Sequence, residues 1–464
     1  MVYMGATEEL PAPEVASRDL TPNPEEDEQI KTWDYIYDIS PAGETTSDAG
    51  TYPGSIETGC SIEAVKYDSD LNGEPEPLVA VIGVGYVGEH LTDVFSRCFN
   101  VLGYDVSETR VKDLCAKYSG NNKVRITTKA EDLSEASHFL ISVPTLLQSD
   151  KTVDTSYLQS ALATVEKQAA PGSTVVIESS VAVGMTRELL GPLAKRKGLF
   201  AGMSPERVDP GRVDPPAYDI PKIISGLDDV VPGSLCSISK LYSAAFNKVV
   251  TVSKPEVAEM TKLYENCQRM MCIAYANEMA NACIPIGIDP YEVCNAASSK
   301  PFGYMPYSPG LGVGGHCIPV NPYYLLSNSA FPLLQAASEK MYARPAEIGE
   351  RVIDELYSKR TGDGLPRVLV VGMGFKRGQS HLVNSPGLEL AKSLAKSEKV
   401  SVSFADPLVS QEAVPQIPRL DEANWTVEHL EENFDMIVVA FKQEGLDFGL
   451  LDKLTTVQVQ MWCT

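Results

Sequence analysis

Short apolar runs alternate with amphipathic stretches along much of the chain. The runs are LVAVI (78–82), VLGYD (101–105), HFLISVP (138–144) and STVVIESS (173–180), and each leads into small or polar residues. Between the third and fourth runs, residues 155–169 place apolar side chains at helical spacing. Strands in regular alternation with helices predict a parallel sheet with helices on both faces.

A second strand–turn–helix series follows nearer the C-terminus. It begins with RVLVVGMGFKRG (367–378) and continues with the apolar runs VSVSFADP (400–407) and FDMIVVAF (434–441). The repetition of the same order of elements predicts a second α/β domain.

One long helical pattern separates the two series. It covers residues 253–287, where Pro285 and Gly287 end it, and Ser253 with Glu256 is expected to form a capping box at its start. A helix of roughly 30 residues is far longer than the usual 11–12, so we expect it to bridge domains or subunits.

These patterns predict an α/β protein with two Rossmann-like, doubly wound parallel-sheet domains joined by a long central helix, after an acidic N-terminal extension. The predicted boundaries are 1–77 for the extension, 78–252 for the first α/β domain, 253–345 for the central helical segment and 346–464 for the second α/β domain.

The net charge of −23 is concentrated at the N-terminus, where residues 1–77 contain 18 Asp and Glu but only three Lys and Arg. This segment is also rich in Pro, Ser and Thr, a composition typical of disordered or loosely docked chain. Its aromatic cluster, Trp33 to Tyr37, is either residual stickiness in such a tail or a segment that packs on the body. No basic stripe could neutralise phosphates, so nucleic acid is not an expected partner.

Membrane and metal chemistry are not expected either. No apolar run approaches the roughly 20 residues that span a bilayer, and no basic segment followed by an apolar one resembles a signal peptide. The ten cysteines form no CxxC pair, which argues against a zinc site or a disulfide framework. The expected compartment is therefore a reducing cytoplasm.

The first glycine turn predicts a dinucleotide site. Gly83, Gly85 and Gly88 form G-x-G-x-x-G between a strand and a helix, a spacing that permits a tight turn, close approach of a pyrophosphate and helix–strand packing. Asp105 ends the next strand, where a carboxylate accepts from a ribose hydroxyl and repels a 2′-phosphate. The expected cofactor is NAD. The second turn, Gly372-x-Gly374, lacks the third glycine and predicts a differently shaped cleft.

Cys317 lies in the glycine-rich stretch GLGVGGHC (310–317). Near a dinucleotide site, a thiolate can add to an aldehyde, lose hydride as a thiohemiacetal and leave a thioester for water to cleave. Gly312, Gly314 and Gly315 are expected to let the backbone close around the sulfur and supply N–H donors. His316 is either a dyad partner of Cys317 or a structural residue; the structural interpretation is favoured because adjacent side chains often point apart.

The sequence resembles the UDP-glucose/GDP-mannose dehydrogenase family from about residue 78 to 445. The matching stretches are GVGYVG (83–88), SVPT (142–145), ESS (178–180), SPERVDPG (204–211), EMTKLYEN (259–266) and GVGGHCIPVNPYYL (312–325). The run KPFGYMPYSPG (300–310) is most similar to the branch that oxidises UDP-N-acetylhexosamines at C6. The resemblance implies a nucleotide-sugar substrate and a homodimer, and the apolar face of the long helix at Val257, Met260, Tyr264 and Met271 suits such a contact.

The resemblance also implies roles for individual residues. Cys317 takes the place of the nucleophile, Lys262 and Asn266 that of the pair that holds the oxyanion and the water, and Glu206 that of the acid–base residue acting through water or Lys262. Independently, their spacing places Lys262 and Asn266 on one helix face, where an ammonium and an amide suit a developing oxyanion.

The family pattern implies two further sets of contacts. The implied cofactor-binding residues are Gly83, Gly85, Tyr86, Val87, Gly88, Asp105, Thr145, Glu178 and Ser180. The implied substrate-binding residues are Arg207, Lys262, Tyr304, Gly314 and Lys376.

The chain departs from the family pattern at four places. Asn321 stands where the family has Asp, and SHLVNSPG (380–387) lacks the usual acids and puts Val383 in the place of an arginine. FKQEG (441–445) replaces acidic and histidine residues, and VQVQMWCT (457–464) ends before a basic segment that the family often uses. An amide at 321 can orient water but cannot take its proton at neutral pH, so we expect either slow thioester hydrolysis or a different outcome.

Three functions remain open from the sequence. The first is the four-electron, NAD-dependent oxidation of the C6 alcohol of a UDP-hexose or UDP-N-acetylhexosamine to the uronate. The second is the same cysteine chemistry on another primary alcohol or aldehyde, which the departures keep open. The third is a catalytically impaired relative with a binding role, against which the four intact residues Cys317, Lys262, Asn266 and Glu206 argue.

Overall fold

The computed structural model describes residues 76–209, 211–212, 214–359 and 364–463. The expectations for the acidic extension, including the aromatic cluster at Trp33 to Tyr37, lie outside these residues. In the described ranges, no helix is long and apolar enough to cross a membrane, and the nine cysteines are free thiols.

The first sheet contains eight strands within the described part of the chain. The strands from 78 to 251 are β1 (Leu78–Ile82), β2 (Asn100–Tyr104), β3 (Val124–Thr127), β4 (His138–Ile141), β5 (Leu146–Leu147), β6 (Val153–Asp154), β7 (Thr174–Ile177), β8 (Phe200–Met203), β9 (Lys222–Gly226) and β10 (Val249–Thr251). The sheet has the order β10-β9-β8-β7-β4-β1-β2-β3, while β5 and β6 form a small antiparallel hairpin.

The order β3-β2-β1-β4-β7-β8 is the doubly wound arrangement that binds dinucleotides where the strand order reverses, here between β1 and β4. All pairs in this part are parallel. One difference from the predicted parallel sheet lies at its far edge, where β9 runs antiparallel to β8. The first residue of β9 therefore lies at the same edge as the carboxyl ends of the parallel strands.

Helices cover both faces of this sheet and link it to the rest of the chain. They are α1 (Tyr86–Phe95), α2 (Glu108–Lys117), α3 (Ser156–Gln168), α4 (Met185–Lys197), α5 (Ser234–Ala245), α6 (Pro255–Cys283), α7 (Pro290–Ser298), α8 (Asn321–Asn328), α9 (Pro332–Lys359), α10 (Pro386–Lys396) and α11 (Val427–Asn433). Helices α3 and α4 pack on one face of the first sheet, and α1, α2 and α5 pack on the other.

The second sheet contains β11 (Arg367–Val371), β12 (Ser401–Ala405), β13 (Met436–Val439) and β14 (Gln458–Met461) in the parallel order β12-β11-β13-β14. Helices α9 and α10 pack on one face, and α11 packs on the other. The predicted two α/β domains with a long central helix are confirmed.

One local prediction about the central segment, the capping box of Ser253 and Glu256, is wrong. Helix α6 begins at Pro255 with Lys254 at the N-cap and no side-chain cap, because Glu256 is drawn instead into an ion pair with Arg187. The expected boundary at residues 345 and 346 falls inside α9, which continues through Pro345. Helix α9 packs on α6 and α8 through its first half and on the second sheet through its second half.

Candidate active site

The three glycines of the first turn differ in their surroundings. Gly83 has φ of +83° and donates its N–H to the Tyr104 carbonyl at 2.8 Å. A Cβ at Gly88 would lie 2.0 Å from the Gly83 oxygen, whereas a Cβ at Gly85 would meet nothing within 4 Å. Gly88 is thus required for packing of α1 against the turn, and Gly85 leaves open space beside it.

Asp105 closes the same turn from the end of β2. Its Oδ2 accepts from the Val84 N–H at 2.9 Å, and its Oδ1 accepts from the Ser107 N–H at 2.9 Å. Each carboxylate oxygen accepts more than one hydrogen bond, so capacity for a ribose hydroxyl remains. Helix α1 begins next to Gly85 without a side-chain cap, and the N–H groups at such a helix start bind phosphate. These residues fit NAD, with Tyr86 and Val87 supplying backbone donors.

Thr145 and Ser180 meet although 35 residues separate them, because β4 and β7 are parallel neighbours. The Thr145 hydroxyl donates to the Ser180 carbonyl at 2.8 Å. The Thr145 carbonyl in turn accepts from the Tyr324 hydroxyl of α8 at 2.9 Å. This pair of bonds joins the cofactor edge of the sheet to the helix that follows Cys317.

The Glu178 side chain does not face an open cleft, contrary to the expectation that it lines the cofactor site. It is fully buried, and its carboxylate accepts from Lys222 Nζ at 2.6 Å and from the Tyr242 hydroxyl. Burial raises the pKa of Glu178 to about 6, although Lys222 and Tyr242 favour its ionised form. Because its carboxylate is bonded to Lys222 and Tyr242 inside the protein, Glu178 stabilises the edge of the sheet from its buried side.

Glu206 is held in place by donors on both carboxylate oxygens. Its Oε1 accepts from the Arg207 and Val208 N–H groups at 2.6 and 2.8 Å, and its Oε2 accepts from Lys222 Nζ at 3.1 Å. Burial opposes its ionisation, but Lys222, the Val208 N–H and the nearby Lys262 hold its pKa below the usual range. The surroundings of Glu206 therefore favour its ionised form.

The amide pair Asn266 and Asn321 joins α6 to α8. Asn266 Nδ2 donates to Asn321 Oδ1 at 2.6 Å, and both side chains are buried. Lys262 lies one helical turn before Asn266 on the same face; it is 8% exposed and makes no hydrogen bond or ion pair within the described residues. The predicted common face of Lys262 and Asn266 thus meets the turn that carries the cysteine.

Cys317 is half-buried one turn before α8, and its carbonyl accepts from the Asn321 N–H at 2.9 Å. Its neighbour Tyr324 is buried, and burial together with Cys317 raises the Tyr324 pKa to about 12. Because the Tyr324 hydroxyl donates to the Thr145 carbonyl, the helix that follows Cys317 is joined to the cofactor edge.

The glycines before Cys317 pack against the second α/β domain. A Cβ at Gly314 would lie 2.9 Å from Pro386, and one at Gly315 would lie 2.9 Å from the Phe375 ring. The Gly315 N–H donates to the Val383 carbonyl at 2.9 Å. The expected N–H donor at Gly315 is therefore already used, and Gly314 serves close packing where substrate contact was expected.

The surroundings of His316 bear on whether it is a dyad partner of Cys317 or a structural residue. Burial and the adjacent His381 lower its pKa, and the described part of the chain shows no hydrogen bond between its ring and Cys317. This favours the structural interpretation over a Cys–His dyad.

Two expected substrate residues lie in ion pairs. Arg207 binds Glu265 of α6 at 2.5 Å, and Lys376 binds Asp209 at 3.2 Å. The Tyr86 hydroxyl also donates to the Asp209 carbonyl at 3.4 Å. Asp209 thus connects the cofactor turn to the second domain, and Lys376 lies within reach of the first.

Tyr304 lies apart from the other site residues, beside Cys294 of α7 and Tyr275 of α6. Tyr275 is nine residues beyond Asn266, about 13 Å further along the helix axis. A contact of Tyr304 with substrate in the same chain is therefore not supported by its position.

The second glycine turn has the same hydrogen bond as the first, but the carboxylate that accepts it is enclosed by other side chains. Asp406 follows β12 and accepts from the Met373 N–H at 2.7 Å, as Asp105 accepts from Val84. Asp406 is only 1% exposed because Gln443 after β13 also donates to it at 3.1 Å. The prediction of a differently shaped cleft after Gly372 agrees with this arrangement.

Sequence reasoning missed Lys222 and Tyr324. The signal for Lys222 was a single cation at the start of the apolar run KIISG, and Tyr324 stood within the recognised NPYYL stretch. Neither position shows its partners without the fold.

Comparison with known proteins places these residues in a family context. The model of the UDP-glucose/GDP-mannose dehydrogenase family NAD-binding domain matches residues 78–245, and that of the family's central domain matches residues 256–339. The UDP-N-acetyl-D-glucosamine 6-dehydrogenase of Pseudomonas aeruginosa is 32% identical over 72% of this chain and 83% of its own. The UDP-N-acetyl-D-mannosamine dehydrogenase of Pyrococcus horikoshii is 31% identical over 71% of this chain and 84% of its own.

Solved structures show the same fold. The structure of the UDP-D-ManNAc dehydrogenase from Pyrococcus horikoshii superimposes with a TM-score of 0.70 at 26% identity, covering 83% of this chain and 99% of that chain. The structure of the UDP-glucose dehydrogenase from Pyrobaculum islandicum gives a TM-score of 0.73 at 20% identity, covering 84% and 95%. With the glycine turn, Asp105 and the cysteine turn assembled as described, the chain belongs to the UDP-glucose/GDP-mannose dehydrogenase family and is an NAD-dependent dehydrogenase.

Proposed function

We propose that this protein oxidises the C6 primary alcohol of a UDP-N-acetylhexosamine to the uronate, through a thiohemiacetal and a thioester on Cys317. The substrate class follows the two relatives above, which are dehydrogenases of UDP-N-acetyl-D-glucosamine and UDP-N-acetyl-D-mannosamine, and the similarity of residues 300–310 to that branch. Overall, one alcohol, two NAD⁺ and one water give one carboxylate, two NADH and three protons.

The observation that carries the proposal is the convergence of three elements on Cys317. Tyr324 joins the turn of Cys317 to Thr145 at the cofactor edge. Asn321 joins the same turn to Asn266 of α6, one helical turn from Lys262. These two bonds support a site in which a nucleophile, a cation and an amide lie near the end of the cofactor site, as acyl-enzyme chemistry beside a hydride acceptor requires.

NAD supplies the hydride acceptor when bound, and the protein supplies the rest. In the first oxidation, Lys262 stabilises the alkoxide as the alcohol loses its proton, and Glu206 accepts that proton through water or Lys262. The Cys317 sulfur then bonds to the aldehyde carbon, and the aldehyde oxygen becomes the thiohemiacetal oxygen held by Lys262 and Asn266.

The second oxidation leaves a thioester on Cys317. Water then adds to the acyl carbon, the carbon–sulfur bond breaks, and the thiol is restored as the carboxylate leaves. Glu206 is the ionised carboxylate beside Lys262 that can take the proton of this water. Asn321 can hold the water through its amide but cannot take its proton.

We also propose that two copies of the chain associate through α6, α7 and the segment after them. Within the described residues, large apolar side chains are exposed along this surface, namely Val257, Met260, Tyr264, Tyr275, Met279, Ile284, Ile286, Ile288, Val293, Phe302 and Met305. Large apolar side chains that are exposed in such number along one segment are typical of a protein–protein interface. Tyr304 belongs to this surface, so its contact would be with the partner copy.

Cys317→Ser should abolish carboxylate formation and leave NAD binding unchanged, because a hydroxyl is a far poorer nucleophile than a thiolate at neutral pH. The measurement is NADH yield per substrate consumed across a panel of UDP-hexoses, UDP-N-acetylhexosamines and simple primary alcohols, with NAD affinity by calorimetry. Cys115→Ser, an exposed change on α2, is the matched control. Two NADH per sugar with the serine variant would contradict the proposed role of Cys317.

Asn321→Asp should speed carboxylate release with a UDP-N-acetylhexosamine. The variant keeps the acceptor for Asn266 and adds a proton acceptor beside the thioester. Intact-mass spectrometry during turnover should show an adduct on Cys317 in the wild type that shrinks in the variant. The exposed change Asn122→Asp controls for charge. Fast, adduct-free turnover by the wild type, unimproved by the substitution, would be the contrary result.

Asp105→Asn should narrow the preference for NAD over NADP by about tenfold or more. The variant removes the charge that repels a 2′-phosphate and weakens a hydrogen bond to a charged acceptor, an effect of about 1.5–3 kcal/mol. Calorimetric dissociation constants for both nucleotides measure it, with the exposed Asp113→Asn as charge control. Equal affinity of the wild type for NAD and NADP would refute this reading of Asp105.

Ile286→Glu should convert the proposed dimer into a monomer, because it places a charge at an apolar contact where the side chain is 71% exposed in one chain. Sedimentation velocity should give twice the chain mass for the wild type and for Tyr157→Glu, an exposed change on α3, but a single chain mass for the variant. A monomeric wild type would exclude this interface.

A further inference from the structure

Lys222 reaches the active-site edge because one strand runs backwards. Strand β9 is antiparallel to β8, with Met203 paired to Ser225 and Gly202 to Gly226. The chain leaves β8 after Met203 and reaches Glu206 beyond the carboxyl end of that strand. Because β9 is antiparallel to β8, the first residue of β9 lies at this same end. Lys222 is therefore brought to Glu206 at the edge where the parallel strands end.

The Lys222 ammonium connects two carboxylates. It is 2% exposed and donates to Glu178 at 2.6 Å, to Glu206 at 3.1 Å and to the Pro205 carbonyl at 3.4 Å. Its three N–H donors have three acceptors, so the cation has a fixed place. Glu206 is fixed in turn, because backbone N–H groups hold its other oxygen.

The charges in this cluster balance across the elements packed around Glu206. Lys222 of β9 and Lys262 of α6 are the cations, and Glu178 after β7 is the second carboxylate. Tyr242 of α5 and both Tyr86 and His90 of α1 are the other titratable side chains around Glu206 in the described part of the chain. The neighbouring Arg207 guanidinium is engaged by Glu265 instead.

A structural role alone does not account for this arrangement. Buried ion pairs are frequently no more stabilising than apolar residues of the same volume, and Lys222 is the only charged residue of the buried strand β9. Removal of one member, in contrast, leaves a buried charge uncompensated. The contact with Glu206 gives the lysine a chemical consequence, because the ammonium favours the ionised form of a carboxylate that lies near enough to Lys262 to be affected by its charge.

We propose that Lys222 is a positioning residue of the reaction, which keeps Glu206 ionised and in a fixed place at the edge where the parallel strands end. The inference rests on the proposed acid–base role of Glu206. Lys222 contacts neither substrate nor cofactor in this account. It acts by favouring the carboxylate form of Glu206, so that Glu206 can accept the proton released in the first oxidation and in thioester hydrolysis.

The test is the pH dependence of kcat/KM in Lys222→Met. Activity falls as the pH drops through the pKa of Glu206, and loss of the Lys222 bond raises that pKa. The acidic limb of the profile should therefore move upward by at least about one pH unit, since one unit corresponds to a tenfold change in proton affinity. Lys222→Arg, which keeps the charge, should move the limb less. An unmoved limb in a folded Lys222→Met would overturn the proposal.

Two further variants separate this effect from damage to the fold. Lys197→Met removes a lysine whose ammonium donates to the Ala169 carbonyl at 2.8 Å outside the cluster, and the limb should stay in place. If Lys222→Met does not fold, Glu178→Gln with Lys222→Met restores the balance of buried charge. The acidic limb of the kcat/KM profile of that double variant should still lie at a higher pH than in the wild type. An acidic limb at the wild-type pH would again reject the positioning role of Lys222.

Glu206→Gln distinguishes failure of the inference from failure of the proposed function. If Glu206→Gln keeps wild-type turnover, the acid–base role of Glu206 is wrong and the proposed function loses that step. If Glu206→Gln is inactive while Lys222→Met keeps the wild-type acidic limb, Glu206 stands and Lys222 has no positioning role. Loss of activity in the first and an upward shift in the second support both.

Discussion

The position of Cys317 depends on the close packing of the two glycines that precede it by two and three residues. Gly314 and Gly315 lie against Pro386 and Phe375 at distances that a Cβ could not keep. Because the turn is clamped to the second domain by the bond from Gly315 to Val383, helix α8 begins at a fixed place. Tyr324 and Asn321 can then reach Thr145 and Asn266, and the cysteine lies between the two sheets.

The remaining site residues converge because parallel strands end at the same edge. The turns after β1, β4, β7 and β8 carry Gly83, Thr145, Glu178 and Glu206, and the reversed strand β9 adds Lys222. The cofactor turn lies where the strand order reverses, between β1 and β4. The buried ion cluster lies further along the same edge, towards β9.

The two glycine turns share one hydrogen-bonding pattern but differ in the space that they leave for a ligand. In each, a carboxylate at the end of the second strand accepts from an N–H of the turn after the first, Asp105 from Val84 and Asp406 from Met373. Asp105 remains half-buried, whereas Asp406 is enclosed by Gln443. The same motif therefore leaves room for a ribose in the first domain and is filled by the chain's own side chain in the second.

The sequence predicts the elements, the first glycine turn with Asp105, the shared helix face of Lys262 and Asn266, and the family, because each depends on local spacing or on the order of motifs. It did not determine which side chains pair across the fold. Glu178 was expected at the cofactor and is buried on Lys222, and Gly314 was expected at the substrate and packs on Pro386. Lys222 stands 44 residues from Glu178 and 16 from Glu206, and only the antiparallel return of β9 brings them together. Such partners are decided by strand direction and packing in three dimensions, which no local pattern encodes.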